Sequence, residues 1–466
     1  MTVRTILAVS TTRPSPHHGS PLQRQRFRRL LDYAALDRVR VQSLALEPLS
    51  WVDDADDLAQ AGIEVVDTAA ARPEVWSAAI GAADLVVVLD ADALAIVGPL
   101  VLAGETPFVA DLASLPHLDY AAASGILAER DEEGLDQGMS AWAAPLAATA
   151  ASAALVVAAD ETIAAAVARL CPTATVRVVA PSVPVLVGAA PRPGARCGIA
   201  LLASLAGESH APDDDGARWF AAEVLPLLPQ PSAADRAFET IWGAGLGPRL
   251  VARSLPGITE WGDVIGSDLD ALLGTIRAVA LPRRFGGVPH ATLAELAGAG
   301  VPFVSTSVAT GAIAASIGPW CVAETAAGMA QRLRVLATDD AAWHDAVGAL
   351  AEFVGRDHDP ATQRSALHHA LRDVLRDARS DGRDHEPAVP SRRIPRPPSA
   401  TLAALDRRID DFEWRLVPGE VMRREVSRQM QSVLHPDERY RLWRVKNPPF
   451  VPGPLDALPW QPTVSI

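Results

Sequence analysis

The stretch VALPRRFGGVPHATLAELAGAGVPFVSTSVATGAI, from Val279 to Ile313, holds the residue types and spacing best suited to binding an anion. Gly286 and Gly287 let a backbone approach a ligand closely. A helix predicted over Ala291 to Ala299 would turn its free N-terminal amides toward that glycine pair. VALP before it is a short apolar run closed by proline, as expected of a buried parallel strand. On spacing alone the segment is equally an ordinary strand-to-helix unit.

Similar units precede it. TILAVSTT is a buried-strand pattern, RPSPHHGSPLQ a loop, and RQRFRRLLDYAAL an amphipathic helix with a basic flank. Strand, glycine loop and helix in that order open a Rossmann-like domain. ADLVVVLDAD and TPFVADLASLPHLDYAA each carry a strand to an acidic C-terminal end, the edge at which open α/β sheets bind ligands. Asp111 on the second of these either holds a hydroxyl or caps the next turn. In APDDDGARWFAAEVLPLLP, Trp219, Phe220, Val224 and Leu225 fall at helical spacing and predict one buried face.

The 279–313 segment resembles the donor-binding signature of the large "group 1" family of retaining GT-B glycosyltransferases (family 4-like). The pattern RYGAGVKxKxLEALAxGxPVVxT appears here as RRFGGVPHATLAELAGAGVPFVST. In that family the helix glutamate binds donor sugar or ribose hydroxyls, a role the resemblance places on Glu295. Gly300 and Pro302 match its GxP, and Thr306 its closing threonine. Two departures mark a divergent donor site: Gly287 stands where many relatives have a second glutamate, and His290 and Thr292 stand at the lysine positions.

Further matches run in the family's order from residue 4 to about 320. Gly19 and Ser20 occupy the glycine loop, and Arg24 or Arg26 matches an arginine at the interdomain cleft; a solvated basic helix face is the alternative. Asp111 matches the first aspartate of PVVxDxxDxxS, and the second aspartate is absent. IWGAGLGPRL and GITEWGDVIGSDLDALL match two donor-domain segments, and Trp261 to Val264 would face the nucleotide base.

The resemblance implies an α/β, GT-B architecture of two Rossmann-like doubly wound domains facing a cleft, with a C-terminal helical extension. It divides into an acceptor domain (1–190), a donor domain (191–378), a linker rich in proline and charge (379–400), and an arginine-rich extension (401–466). The implied activity is transfer of a sugar from a nucleotide-diphosphate donor to a glycan, lipid-linked or small-molecule hydroxyl. Anomeric configuration would be retained without metal or cofactor, in cell-surface glycan or glycoconjugate synthesis. Glu295 and Asp111 are the candidate catalytic residues. Helix amides after Gly286 and Gly287, with Arg283 or Arg284, would stabilise the leaving diphosphate. His290 would contact phosphate or sugar, or simply be solvated. The alternative is a catalytically degenerate GT-B protein acting as a binding or partner subunit.

Composition is compatible with these expectations. With 466 residues, 49% hydrophobic and 21% charged, the chain predicts a globular protein of about two domains plus an appendage. Cys171, Cys197 and Cys321 are too widely spaced for a zinc cluster or a disulfide framework. A net charge of −14 argues against nucleic-acid binding. Lys446 is the only lysine, so any cation neutralising a diphosphate must be an arginine, a histidine, helix amides or a metal. No apolar run suits a bilayer span and Met1 to Ser10 lacks secretory-signal character, so a cytoplasmic location is expected. From Arg379 to Lys446, fifteen basic residues face eleven acidic ones. That region would lie over the acidic body, grip a protein partner, or touch the inner face of the membrane.

Overall fold

The computed structural model describes residues 3–16, 21–46, 54–66, 73–115, 146–184, 195–202, 211–229, 238, 240–244, 257–262, 267–284, 288, 290–311 and 313–377. Gly19, Ser20, Val264, Gly286, Gly287 and the expected linker and extension after residue 378 lie outside them.

Two fully parallel sheets organise the chain. The first comprises β1 (Arg4–Ser10), β2 (Val39–Ala45), β3 (Glu64–Val65), β4 (Leu85–Val88), β5 (Phe108–Leu112), β6 (Leu155–Ala158) and β7 (Val176–Val178), in the order β3-β2-β1-β4-β5-β6-β7. The second comprises β8 (Ile199–Leu202), β9 (Ile241–Ala244), β10 (Thr259–Gly262), β11 (Ala278–Leu281) and β12 (Phe303–Ser305), in the order β10-β9-β8-β11-β12. In both, chain order reverses beside the first strand, which opens a crevice between β1 and β4 and another between β8 and β11. This is the expected doubly wound α/β architecture.

The strands lack polar alternation because helices cover both faces of each sheet. Leu7, Val9, Val86 and Val88 pack on one face of the first sheet, while Ile6, Ala8, Leu85 and Val87 pack on the other. Val279 and Leu281 of β11 likewise separate from Ala278 and Ala280.

Helices of the first half are α1 (Pro21–Ala34), α2 (Asp54–Gln60), α3 (Pro73–Ala82), α4 (Ala91–Ala103) and α5 (Glu161–Leu170). The second half carries α6 (Ala211–Trp219), α7 (Ser267–Thr275), α8 (His290–Gly298), α9 (Ser307–Thr310), α10 (Ile313–Ile317), α11 (Ala326–Thr338), α12 (Asp340–Asp357) and α13 (Pro360–Asp377). Asp90 and Asp160 start α4 and α5 by accepting the amides of Ala93 and Ile163.

Two details differ from the sequence expectation. After α6 the helix widens into a π turn over Phe220–Val224 and ends in a 3-10 turn at Leu225–Leu227, where Pro226 cannot continue it. Phe220 and Val224 are therefore buried, whereas Trp219 and Leu225 are only half-buried, and Trp219 donates its indole N–H to Glu223 at 3.0 Å. The last described helix, α13, returns to the first sheet, inserting Leu367 and Leu371 into the core beneath Ile6, Phe27 and Leu30.

Candidate functional site

Helix α8 follows β11 at the crevice of the second sheet and packs against α1 of the first half. Its alanine- and leucine-rich inner face, Ala291, Leu293, Ala294, Leu296 and Ala297, is buried. Gly300 ends it with φ of 60°, where Val301 N–H reaches back to the Leu296 carbonyl; a side chain would be strained there, and Pro302 then enters β12. Glu295 is thereby held at the seam.

Its partners come from α1. Arg28 lies 2.5 Å from Glu295 Oε1 and Arg24 lies 4.0 Å from Oε2, with Glu295 only 11% exposed. The Arg28 contact is an ion pair without aligned hydrogen-bond geometry, since Oε1 accepts no hydrogen bond among the described residues. Arg28 also donates to the Ser182 carbonyl at 3.0 Å, and Arg24 pairs with the exposed Asp270 at 2.9 Å. Gln25, the residue after Arg24, is buried, and neither amide atom has a partner among the described residues.

His290 begins α8. Its two ring nitrogens are buried and unbonded among the described residues, and Nδ1 lies 3.7 Å from Asp160 on the first half. At that separation the pair is electrostatic rather than hydrogen-bonded. Burial alone would raise the Asp160 carboxyl, but the His290 contact and the amides of Ile163 and Thr162 hold it below its ordinary value. His358, edge-on to His290 at 4.9 Å between ring centres, directs Nδ1 to the Pro181 carbonyl at 2.6 Å. Burial, then the charge of His290, pushes His358 down to about 4. Thr292 is buried in the same helical turn.

Arg283, expected as a phosphate cation, is engaged elsewhere. Both Asp213 oxygens meet it, at 2.5 and 2.9 Å, and Asp213 is almost fully buried. Gly216 permits this pairing, because a Cβ there would come within 2.6 Å of the Pro282 carbonyl oxygen. Thr306 donates to the Arg283 carbonyl and caps α9 by accepting from Ala309, so its hydroxyl braces the turn. Arg284 is exposed.

The α1 arginines divide by face. Arg26 turns to the β1–β4 crevice, where it lies 3.2 Å from Asp90, whose carboxylate also accepts from Thr11 N–H, Thr11 Oγ1 and Ala93 N–H. Of the two arginines the sequence offered for the cleft, Arg24 reaches Glu295 and Arg26 does not. Arg28 was missed, although it stands four residues after Arg24 and therefore on the same helical face.

Asp111 is neither at the seam nor a turn cap among the described residues. It lies inside β5, where Arg29 approaches at 3.0 Å and Tyr33 donates at 2.9 Å. Burial raises its carboxyl, outweighing the downward pull of Arg29. The phenol of Tyr33 is raised well above its usual value by burial, then by Asp111. No cluster of three or more His, Cys, Asp or Glu suited to a metal occurs among the described residues, and no helix there is long and apolar enough to cross a membrane.

No protein-family model matches the chain, and no curated protein sequence does. Solved structures do resemble it. Sucrose-phosphate synthase from Thermosynechococcus elongatus superposes with a TM-score of 0.57 at 14% identity, over 80% of this chain and all (100%) of that one. Anabaena HepE in complex with UDP and glucose gives 0.54 at 12% identity, over 79% of this chain and 99% of that one. The O-GlcNAc transferase of Thermobaculum terrenum gives 0.52 at 15% identity, over 82% of this chain and 69% of that one. At these identities the shared property is the fold, which is GT-B.

Proposed function

We propose that this chain is a glycosyltransferase that takes a nucleotide-diphosphate sugar into the seam between its two sheets and passes the sugar to a hydroxyl acceptor. The observation that carries this reading is Glu295, a nearly buried carboxylate on the helix after β11, facing arginines of the opposite half. Two of the solved complexes with this fold hold UDP with glucose or UDP-glucose, which supports a nucleotide sugar as the ligand class.

Glu295 would hold donor hydroxyls through lone pairs that its ion pairs leave open. The first-turn amides of α8 would stabilise charge on the departing diphosphate. In the retaining chemistry of the group 1 family, that diphosphate helps deprotonate the acceptor hydroxyl on the same face. Thr292 and His290, in the first turn of α8, are the proposed contacts for phosphate or sugar. Asp111 is assigned to holding α1 on the sheet. The acceptor, whether glycan, lipid-linked or small molecule, would enter from the first half.

The test is release of nucleoside diphosphate from a panel of UDP-, GDP- and ADP-sugars, with wild type beside Glu295→Ala. Turnover of one donor that falls about a hundredfold or more in the variant supports the reading, since a lost transition-state contact to a charged group costs roughly 3 kcal/mol. Donor binding without turnover would favour the degenerate, binding-subunit alternative. Absence of any donor binding would overturn the transferase reading.

A further inference from the structure

Arg283, one cation expected to face a diphosphate in this cleft, meets both oxygens of buried Asp213 with its guanidinium. Arg26 is matched by Asp90, Arg29 by Asp111 and Arg277 by Asp340. The only lysine, Lys446, lies outside the described residues. Arg28 differs from these. Its carboxylate partner is Glu295, the group the proposed function assigns to the sugar, and it reaches that partner across the seam from the opposite half.

We infer that Arg28, seconded by Arg24, is the diphosphate-holding cation of this site, and that it exchanges Glu295 for the diphosphate when the donor enters. This rests on reading the seam as a nucleotide-sugar site. In the exchange the guanidinium fork passes from a carboxylate to a phosphate, both of which it can meet bidentately, while Glu295 turns its oxygens to sugar hydroxyls. Arg28 is 22% exposed and Arg24 7%, so their charges are poorly screened and bind an anion more strongly than surface cations would. The donor would then be gripped from both halves at once, and its binding would draw α1 and α8 together.

Isothermal titration with UDP, GDP and ADP, and with uridine, guanosine and adenosine, tests this on the full chain. Wild type is compared with Arg28→Gln, Glu295→Gln and Arg40→Gln, the last an exposed arginine of β2 paired with Glu64 of β3. The expected result for Arg28→Gln is a loss of about ten- to a hundredfold in diphosphate affinity, the size of one charged hydrogen bond, with nucleoside affinity unchanged. Glu295→Gln removes the competing carboxylate, so sugar-free diphosphate should bind more tightly. Arg40→Gln should match wild type. If wild type binds a diphosphate and Arg28→Gln binds it equally well, the inference is overturned. It is overturned also if Glu295→Gln weakens sugar-free diphosphate, an arm that stands even where Arg28→Gln fails to fold. If wild type binds no nucleoside diphosphate, the nucleotide-sugar reading fails and takes the inference with it.

Discussion

Asp111 shows how much a single buried charge can be worth to this chain without touching a substrate. Its carboxylate holds Arg29 and Tyr33 of α1 against β5. Arg29 has few other recourses, namely a hydrogen bond to the Val179 carbonyl at 2.9 Å and an Nη1 without a partner among the described residues. Asp111→Ala would leave a buried guanidinium uncompensated and should cost about 3–5 kcal/mol in urea denaturation. Tyr33→Phe, which removes one hydrogen bond to a carboxylate, should cost about 1.5–3 kcal/mol. Should Asp111→Ala instead prove as stable as wild type while losing transfer activity, the structural assignment would be wrong. A residue of this kind looks catalytic in sequence, since an aspartate at a strand end near a loop carries the same letters whether its neighbours are sugars or arginines.

At the scale of elements, the junction of α12 with the crossover near residues 181–183 depends on His358. A carbonyl can only accept, so Nδ1 carries the proton it gives to Pro181, and the Val183 amide donates to the His358 carbonyl. The neighbours that set its charge are His290, Asp357 and Arg356, and the folded value near 4 lies below the ordinary 6.5. With a depressed folded pKa the unfolded chain takes up a proton first as pH falls. The stability contribution is therefore complete above about pH 6.5, is lost progressively between 6.5 and 4, and changes no further below 4. The loss should be on the order of 3 kcal/mol for this fully buried ring. Denaturant midpoints across that window, wild type against His358→Gln, check it: the variant should show a flatter slope. An equal slope in both would assign the pH dependence to other groups. The strand and helix pattern of this region was legible in sequence because apolar periodicity reports local burial. The pairing of His358 with Pro181 was not, since 177 residues separate the partners and no local signal links them.

For the whole molecule, α13 ties the end of the described chain back to its beginning. Leu367 and Leu371 fill the core under α1, Arg364 pairs with Asp32 at 2.9 Å, and His368 meets the Asp32 carbonyl at 2.7 Å. Leu367→Ala and Leu371→Ala should each destabilise by about 2–5 kcal/mol, and the double variant should not be additive because the two side chains share one cavity. Hydrogen exchange should accelerate first in β1 and α1, which α13 covers. Equal acceleration in β8 and β11 would mean that the two sheets unfold as one unit.

The sequence by itself determined the two α/β repeats and the helix that carries Glu295 after β11, because these depend on periodicity and a compact motif within 35 residues. Only the tertiary structure decided which charge meets which. Four arginines within six positions of α1 look alike in sequence, yet Arg24 and Arg28 face Glu295, Arg26 faces Asp90 and Arg29 faces Asp111. The physical reason is that a helix rotates each successive side chain by about 100°, and what lies in each direction is set by strands and helices folded in from far along the chain.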